Sequence, residues 1–254
     1  MLKKIRKHWA RAAGVQFSTP IQSSGVIYAV GDVHGRHDLL RRLLDRIHED
    51  AAASKLTPKI VFLGDYIDRG ENARGTIDLL ISLADQTEIE TVFLMGNHEQ
   101  MLLSFLRDPS LGPRWLRNGG LQTLMSYGVG SSGNLRADGE ALRLRSALID
   151  ALGPHLGFIE GLRVSHHDGN LLFAHAGADP ALPTDEQDIA TLLWGCESFR
   201  TTNRDDGVWV VHGHFVVEKP VAASGRIAVD TGAYFSDRLT AARIAGGTVT
   251  FLQG

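Results

Sequence analysis

Short apolar runs recur along the first hundred positions, and each stops at a glycine. Val26-Ile27-Tyr28-Ala29-Val30 runs into Gly31, Ile60-Val61-Phe62-Leu63 into Gly64, and Thr91-Val92-Phe93-Leu94-Met95 into Gly96. Unbroken runs of this length predict short, fully buried strands. Between them the apolar positions change to helical spacing. Leu39, Leu40, Leu43, Leu44 and Ile47 share one face behind Asp38, a suitable N-cap. Ile77, Leu80, Ile81 and Ala84 do the same over 73–85. The order β-α-β-α-β predicts a parallel sheet with helices outside, and ligands in such sheets sit beyond the carboxyl ends of the strands.

From Glu99 to about Leu156 the pattern turns helical. A helix is expected around Met101 to Leu106, stopping near Asp108-Pro109. A turn at 115–120, a short helix over 121–127, a Gly- and Ser-rich loop over 128–139 and a helix over 140–152 follow. This stretch reads as a helical insertion, about 99–156, within one catalytic domain spanning 21–254. The last third is β-rich. Arg163-Val164 and Leu171-Leu172-Phe173-Ala174 bracket a hairpin turn that contains His166 and His167. A short helix is expected around 186–193 and strands over 208–211 and 226–229. The alternating segments 239–244 and 247–252 are expected to close a second, mainly antiparallel sheet.

Composition narrows this picture only a little. The chain has 254 residues, 43% hydrophobic and 22% charged, enough for one large domain with a sizeable core. A net charge of −3 gives no sign of a general nucleic-acid binder. A single cysteine, Cys196, excludes an internal disulfide framework. No apolar run approaches the roughly 20 residues of a membrane span. The basic start, Met1 to His8, is not followed by a secretory apolar core. Together these are read as a cytoplasmic protein. Residues 1–20 are read as a mobile basic arm, with a membrane-surface or partner role as the minor alternative.

The strand ends carry the chemistry. Gly31 is followed by Asp32-Val33-His34-Gly35-Arg36, Gly64 by Asp65-Tyr66-Ile67-Asp68-Arg69-Gly70, and Gly96 by Asn97-His98-Glu99. Two carboxylates and an arginine at a buried strand end are costly unless a ligand needs them. Asp32 and His34, one residue apart, point the same way from an extended segment. Asp65 offers two oxygens and is a candidate to bridge two metals. Asn97 adds a neutral oxygen, and His175 and His214 follow strands of the β-rich half. Mixed Asp, Asn and His donors suit Mn²⁺, Fe or Zn²⁺ better than Ca²⁺ or a cysteine-based zinc site. Arg36, at a helix start, is a candidate to add positive field at an anion site, with an ordinary solvated arginine as the default.

The three motifs, in order and spacing, resemble the GDxHG, GDxxDRG and GNHE signatures of the phosphoprotein phosphatase family, a branch of the calcineurin-like metallophosphoesterases. Trp115 with Asn118-Gly119-Gly120, and Gly213-His214 followed by Asp230-Thr231-Gly232-Ala233, resemble its phage and bacterial members. The likeness covers roughly 25–252. It implies an α/β fold in which two central mixed β-sheets are flanked by helices, a four-layer sandwich. It implies two divalent metals, with Mn²⁺ as the first choice. Asp32, His34 and Asp65 would hold one, and Asp65, Asn97, His175 and His214 the other. A hydroxide bridging them would attack phosphorus directly, Arg69 and Asn97 would contact the phosphate, and His98, oriented by Asp68, would protonate the leaving group. The implied partner is a phosphoprotein or phosphopeptide, carrying phosphoserine, phosphothreonine or phosphotyrosine.

One departure stands out. The family often has a second phosphate-gripping arginine in a Trp-x-Arg pattern, and here Trp194 is followed by Gly195-Cys196. Arg200, one helical turn on, is the candidate substitute. His212 is read as a neighbour of the site and not a ligand. Two alternatives accompany the phosphatase expectation. A diadenosine tetraphosphate or other nucleotide hydrolase shares the scaffold, though Asp68 and Glu99 favour the protein phosphatase branch. A non-catalytic metal-binding scaffold is supported by Cys196 alone.

Overall fold

The computed structural model describes residues 17–54, 57–86, 89–130 and 139–254. The first half alternates as expected: β1 (Ile27–Val30), α1 (His37–Ser54), β2 (Lys59–Phe62), α2 (Ala73–Ala84) and β3 (Glu90–Phe93). The insertion supplies α3 (Asn97–Arg107), α4 (Gly112–Trp115), α5 (Leu121–Ser126), α6 (Glu140–Leu152) and α7 (Pro154–Glu160). The second half gives β4 (Ser165–Asp168), β5 (Leu171–Ala174), α8 (Ile189–Trp194), α9 (Glu197–Thr201), β6 (Trp209–His212), β7 (Val221–Ala223) and β8 (Arg226–Ala228). It closes with α10 (Ala233–Ser236), β9 (Thr240–Ala245) and β10 (Thr248–Gln253).

Two five-stranded mixed sheets result, in the orders β10-β9-β1-β2-β3 and β4-β5-β6-β8-β7. β1, β2 and β3 are parallel, as are β5, β6 and β8. Period-2 alternation sorts the side chains into layers. Tyr28, Val30, Ile60 and Phe62 face helices α1 and α2. Ile27, Ala29, Val61 and Leu63 meet Leu171, Phe173, Val211 and Ile227 between the sheets. Leu172, Ala174 and Val210 pack outward on Leu192 of α8 and Phe199 of α9. The order is helix, sheet, sheet, helix, and the central strands are buried on both faces.

Four local expectations are corrected. The segments 239–244 and 247–252 do not close the second sheet: β9 pairs antiparallel with β1 and β10 with β9, extending the first sheet. The small side chains Ala241 and Ala242 let β9 sit buried beside β1. His166 and His167 lie in β4, and the turn falls at Gly169-Asn170. Asp38 is inside the first turn of α1, where Arg36 holds its carboxylate. The expected turn at 115–120 is instead the end of α4 followed by a π-helical passage, Leu116–Gly120, kinked at one left-handed residue, Gly119 (φ 107°). Most of the expected loop at 128–139, residues 131–138, lies outside the described residues, as do residues 1–16 of the basic arm. Residues 17–20 dock on the second sheet: Phe17 meets Trp209 edge-on, and the Trp209 indole donates to Thr19 O (2.9 Å). No helix among the described residues is long and apolar enough to cross a membrane.

Candidate metal centre

The carboxyl ends of the parallel strands in both sheets converge. Asp32 follows β1, Asp65 follows β2, Asn97 and His98 open α3 just after β3, His175 follows β5, and His214 follows β6. All are buried except His214, which is half-buried. The backbone there is strained. His34 (φ 47°), Asp65 (53°), Asp68 (70°), Arg69 (69°) and His214 (58°) all sit in the left-handed region, at about 1–3 kcal/mol each. Such positions persist only where surrounding bonds over-determine them. Glu99 is one source. Its Oε2 accepts from Asp65 N (2.9 Å) and Gly96 N (2.9 Å), and its Oε1 from Tyr66 N (2.8 Å) and Ile67 N (3.3 Å). One buried carboxylate thus fastens the second motif to the third. Close approach also explains the glycines: a Cβ on Gly64 would lie 2.5 Å from Gly96 N, and one on Gly213 would collide with the Asp32 carboxylate.

Donor atoms gather around Asp65 in two groups, each within 4.8 Å: His34, Asp65 and His98, and Asp65, His175 and His214. Their tautomers are set from behind. His34 Nδ1 donates to Ile67 O (2.9 Å) and His175 Nδ1 to Leu63 O (2.9 Å). Each therefore turns Nε2 inward, 3.5 Å and 3.4 Å from Asp65 Oδ2. Asn97 Oδ1 lies 2.8 Å from His175 Nε2 and 2.9 Å from His214 Nδ1. Acceptors this crowded need a proton or a metal cation between them.

The electrostatics agree. Burial pulls His175 down, but the Asp65 and Asp32 carboxylates outweigh it and hold it at about 10. Burial pushes His34 and His214 to about 3, against the pull of Asp65. Asp32 stands well above the usual carboxylate range because it is buried beside Asp230. The proton that His175 holds against Asp65 and Asp32 stands where a cation would, and a set of imidazoles, an amide oxygen and carboxylates fits borderline divalent metals.

Beside the cluster, His98 Nδ1 donates to Asp68 Oδ2 (2.7 Å). Trp115 Nε1 (3.1 and 3.0 Å) and Thr123 Oγ1 (2.6 Å) donate to the same carboxylate. Asp65 and Asp68 raise His98 above its ordinary value, although burial opposes them. Arg69 Nη1 lies 3.2 Å from His34 Nε2, and its guanidinium stacks 4.8 Å from the Tyr234 ring centroid.

Other placements differ from the sequence expectations. Arg36 is not free for an anion. Nε and Nη2 grip Asp38 (2.9 and 2.7 Å), and Nη1 donates to Ala233 O (3.0 Å) and Asp237 Oδ1 (2.6 Å). It fastens the α10 turn, whose Tyr234 also meets His34 edge-on (5.4 Å). Arg200 stacks on Phe215 (5.2 Å) and lines a cavity with Trp194 and Cys196. Asp32 is outside both donor groups; its oxygens accept from His214 N (3.2 and 3.1 Å). His98 is inside one, its Nε2 3.8 Å from Asp65 Oδ2. His212 is outside both, packed edge-on against Phe199.

Several residues escaped the sequence reading. Thr123 and Tyr234 carry no local signal. Trp115 was visible only as part of a resemblance. Asp230 was likewise visible only within the resemblance; it is buried, held at about 6 by its burial and by Asp65, and follows an apolar run just as Asp32 and Asp65 do. That pattern was the clue.

A family model described as calcineurin-like phosphoesterase matches residues 25–218. Serine/threonine-protein phosphatase 1 of Salmonella typhimurium is 29% identical over 224 residues, spanning 86% of this chain and 91% of that protein. Bis(5'-nucleosyl)-tetraphosphatase PrpE [asymmetrical] of Oceanobacillus iheyensis is 28% identical, spanning 84% and 86%. A solved structure of a putative diadenosine tetraphosphatase shares the fold, with a TM-score of 0.58 at 20% identity, over 93% of this chain and 99% of that one. With its strand-end motifs converging on one buried donor cluster, the chain belongs to the calcineurin-like phosphoesterase family.

Proposed function

We propose that the protein is a metal-dependent phosphatase for phosphoserine and phosphothreonine in proteins, with phosphotyrosine as a further substrate. The observation that carries this reading is the His98–Asp68 pair, with Trp115 and Thr123 holding the carboxylate. A serine or threonine alkoxide is a poor leaving group and needs a proton as the P–O bond breaks. A nucleotide leaves as a phosphate oxygen and needs none. A raised, carboxylate-backed imidazole therefore favours an alkoxide.

Asp32, His34 and Asp65 would hold one divalent ion, and Asp65, Asn97, His175 and His214 the other. Mn²⁺ is the first choice, with Fe or Zn²⁺ as alternatives. Bound there, the ions would activate water and neutralise charge on the phosphoryl oxygens. The protein's own part is positioning. Asn97 and Arg69 orient the phosphate, Arg69 through its planar fork, and Tyr234 steadies that fork. His98 delivers a proton from Nε2 to the departing oxygen, while Asp68 keeps Nδ1–H in place.

The second reading, hydrolysis of diadenosine tetraphosphate, draws support from the PrpE relatives. One experiment separates the two. Wild type and His98→Asn are assayed with Mn²⁺ on a phosphoserine peptide, a phosphotyrosine peptide and diadenosine tetraphosphate, with metal content measured on the same samples. The phosphatase reading expects peptide turnover by wild type, and a variant that keeps its metal but loses about 10²-fold or more in turnover. Turnover of the dinucleotide alone would replace it with the second reading. Loss of metal in the variant would make His98 a ligand instead of an acid.

A further inference from the structure

A cavity of about 430 Å³ opens beside the candidate metal centre, lined by Trp194, Gly195, Cys196, Glu197, Arg200 and Phe215, among others. Its walls join the site directly. Phe215 follows His214, and their rings meet at 4.9 Å. Ala176, next to His175, donates its N–H to Leu192 O of α8 (2.8 Å). Trp194 is locked by its indole N–H, which donates to Gln100 Oε1 (2.5 Å) one residue past Glu99. Cys196 stands where the resemblance would put an arginine, and its short side chain, turned to Ser198 Oγ (3.1 Å), leaves this volume open.

Each aromatic ring of the cavity carries a guanidinium. Arg114 stacks on Trp194 (4.4 Å) and Arg200 on Phe215 (5.2 Å). Both arginines are exposed, and among the described residues neither pairs with a carboxylate. The contrast with Arg36, Arg143, Arg204 and Arg243 is plain, since each of those grips an acid. Stacking uses the flat face of a guanidinium and leaves its in-plane N–H edge free, the edge that binds carboxylate in fork geometry. It also covers a ring face that a nucleobase would otherwise use. Arg114 precedes Trp115, the donor to Asp68, and Arg200 stacks on Phe215, which follows His214, so each cation is one residue or one ring removed from the candidate site.

Resting on the phosphoprotein reading, we propose that Arg114 and Arg200 form a specificity surface for acidic residues flanking the phosphorylated side chain. The preferred substrates are phosphopeptides with Asp or Glu beside the phosphoresidue. Glu197 lines the same cavity and opposes such a carboxylate, so Glu197→Gln should sharpen the preference.

The test compares kcat/KM on phosphoserine peptides that differ only in flanking Glu or Lys. Each protein is normalised to its own rate on p-nitrophenyl phosphate with Mn²⁺. Wild type should favour the Glu-flanked peptide, by about two- to five-fold for each arginine engaged, and less at high salt. Arg114→Ala with Arg200→Ala should erase the preference. Arg114→Glu with Arg200→Glu should invert it, a gain on the Lys-flanked peptide that damaged folding cannot produce. Equal cleavage of both peptides by wild type, or a preference that survives the double alanine change, overturns the proposal alone. Cleavage of no peptide overturns the phosphoprotein reading and this proposal with it. If the arginine changes instead depress only turnover of diadenosine tetraphosphate, the two cations serve an oligophosphate and the proposal falls.

Discussion

The two ends of the paired sheets treat buried charge in opposite ways. At the carboxyl ends of β1 and β2, Asp32 and Asp65 are buried with Asp230 and faced chiefly by imidazoles, with Arg69 reaching the cluster beside His34. At the opposite end Asp168 closes β4, and its carboxylate is fully matched. Lys59 Nζ donates at 2.8 Å, and Ser24 N and Oγ each at 2.6 Å. Lys59 begins β2, so this cluster ties one sheet to the other. The difference separates charge kept for function from charge used for stability. Carboxylates faced by imidazoles, whose protons a metal can displace, are poised for metal; carboxylates given a lysine and backbone or hydroxyl donors hold the layers together.

Four substitutions probe that contrast. The largest effect is expected from Asp32→Asn, which keeps the acceptor for His214 N but removes a carboxyl whose ionised form burial and Asp230 disfavour. Turnover should fall roughly 10³-fold with loss of metal. The metal-free variant should melt no lower than metal-free wild type, and a lower melting temperature would contradict the idea of charge held against stability.

Glu99→Gln comes next. An amide cannot accept from all four N–H groups, and its own N–H₂ would face donors. About 2–3 kcal/mol of stability should be lost, with activity, because the strained 65–69 turn loses its fastener. Denaturant unfolding reads the first and a phosphatase assay the second.

Asp168→Ala should cost about 2 kcal/mol while specific activity of the folded protein stays within two-fold or so. Burial raises Asp168, but Lys59 and Ser24 outweigh it and hold the group below its ordinary value. A depressed carboxyl contributes stability above the unfolded value of about 3.9, and that contribution is lost as pH falls through the folded value. The gap between wild type and variant, measured by melting from pH 7 downward, should narrow in acid. A gap that is constant with pH would assign the loss to packing.

Arg36→Ala is the smallest. Its partners Asp38 and Asp237 are exposed, so the bonds are individually weak. Freeing the α10 turn should let Tyr234 drift from Arg69 and raise KM for a small phosphoester by about two- to five-fold, with metal content unchanged. An unchanged KM would leave Arg36 a surface pair with no hold on the site.

Much of the site was legible because its residues lie in short motifs tied to strand ends. Asp32 and His34, Asp65 with Asp68 and Arg69, and Asn97 with His98 are each local, and a β-α-β-α-β order brings such ends together. The closing strands, β9 and β10, were harder to place. Nothing in the alternation of 239–244 says which sheet a strand will join, because pairing partners are chosen by burial and by the sheet edge left open. Arg36 was a plausible anion ligand by position. It became a fastener only because a turn some two hundred residues later presents Ala233 O and Asp237 beside it.

What the sequence determined by itself was the donor chemistry: acid, amide and imidazole at the ends of buried strands, an arginine among them, and a domain large enough to bury them. Local residue type and spacing carry that information, since strand and helix periods are short-range properties of the chain. Tertiary structure decided the rest. It set the inward nitrogens of His34 and His175 through Ile67 O and Leu63 O, and it gave Asp68 its donors Trp115 and Thr123. It also placed two unpaired guanidiniums on the rings of one cavity. These are long-range contacts, fixed only when separate layers pack, and no local pattern specifies them.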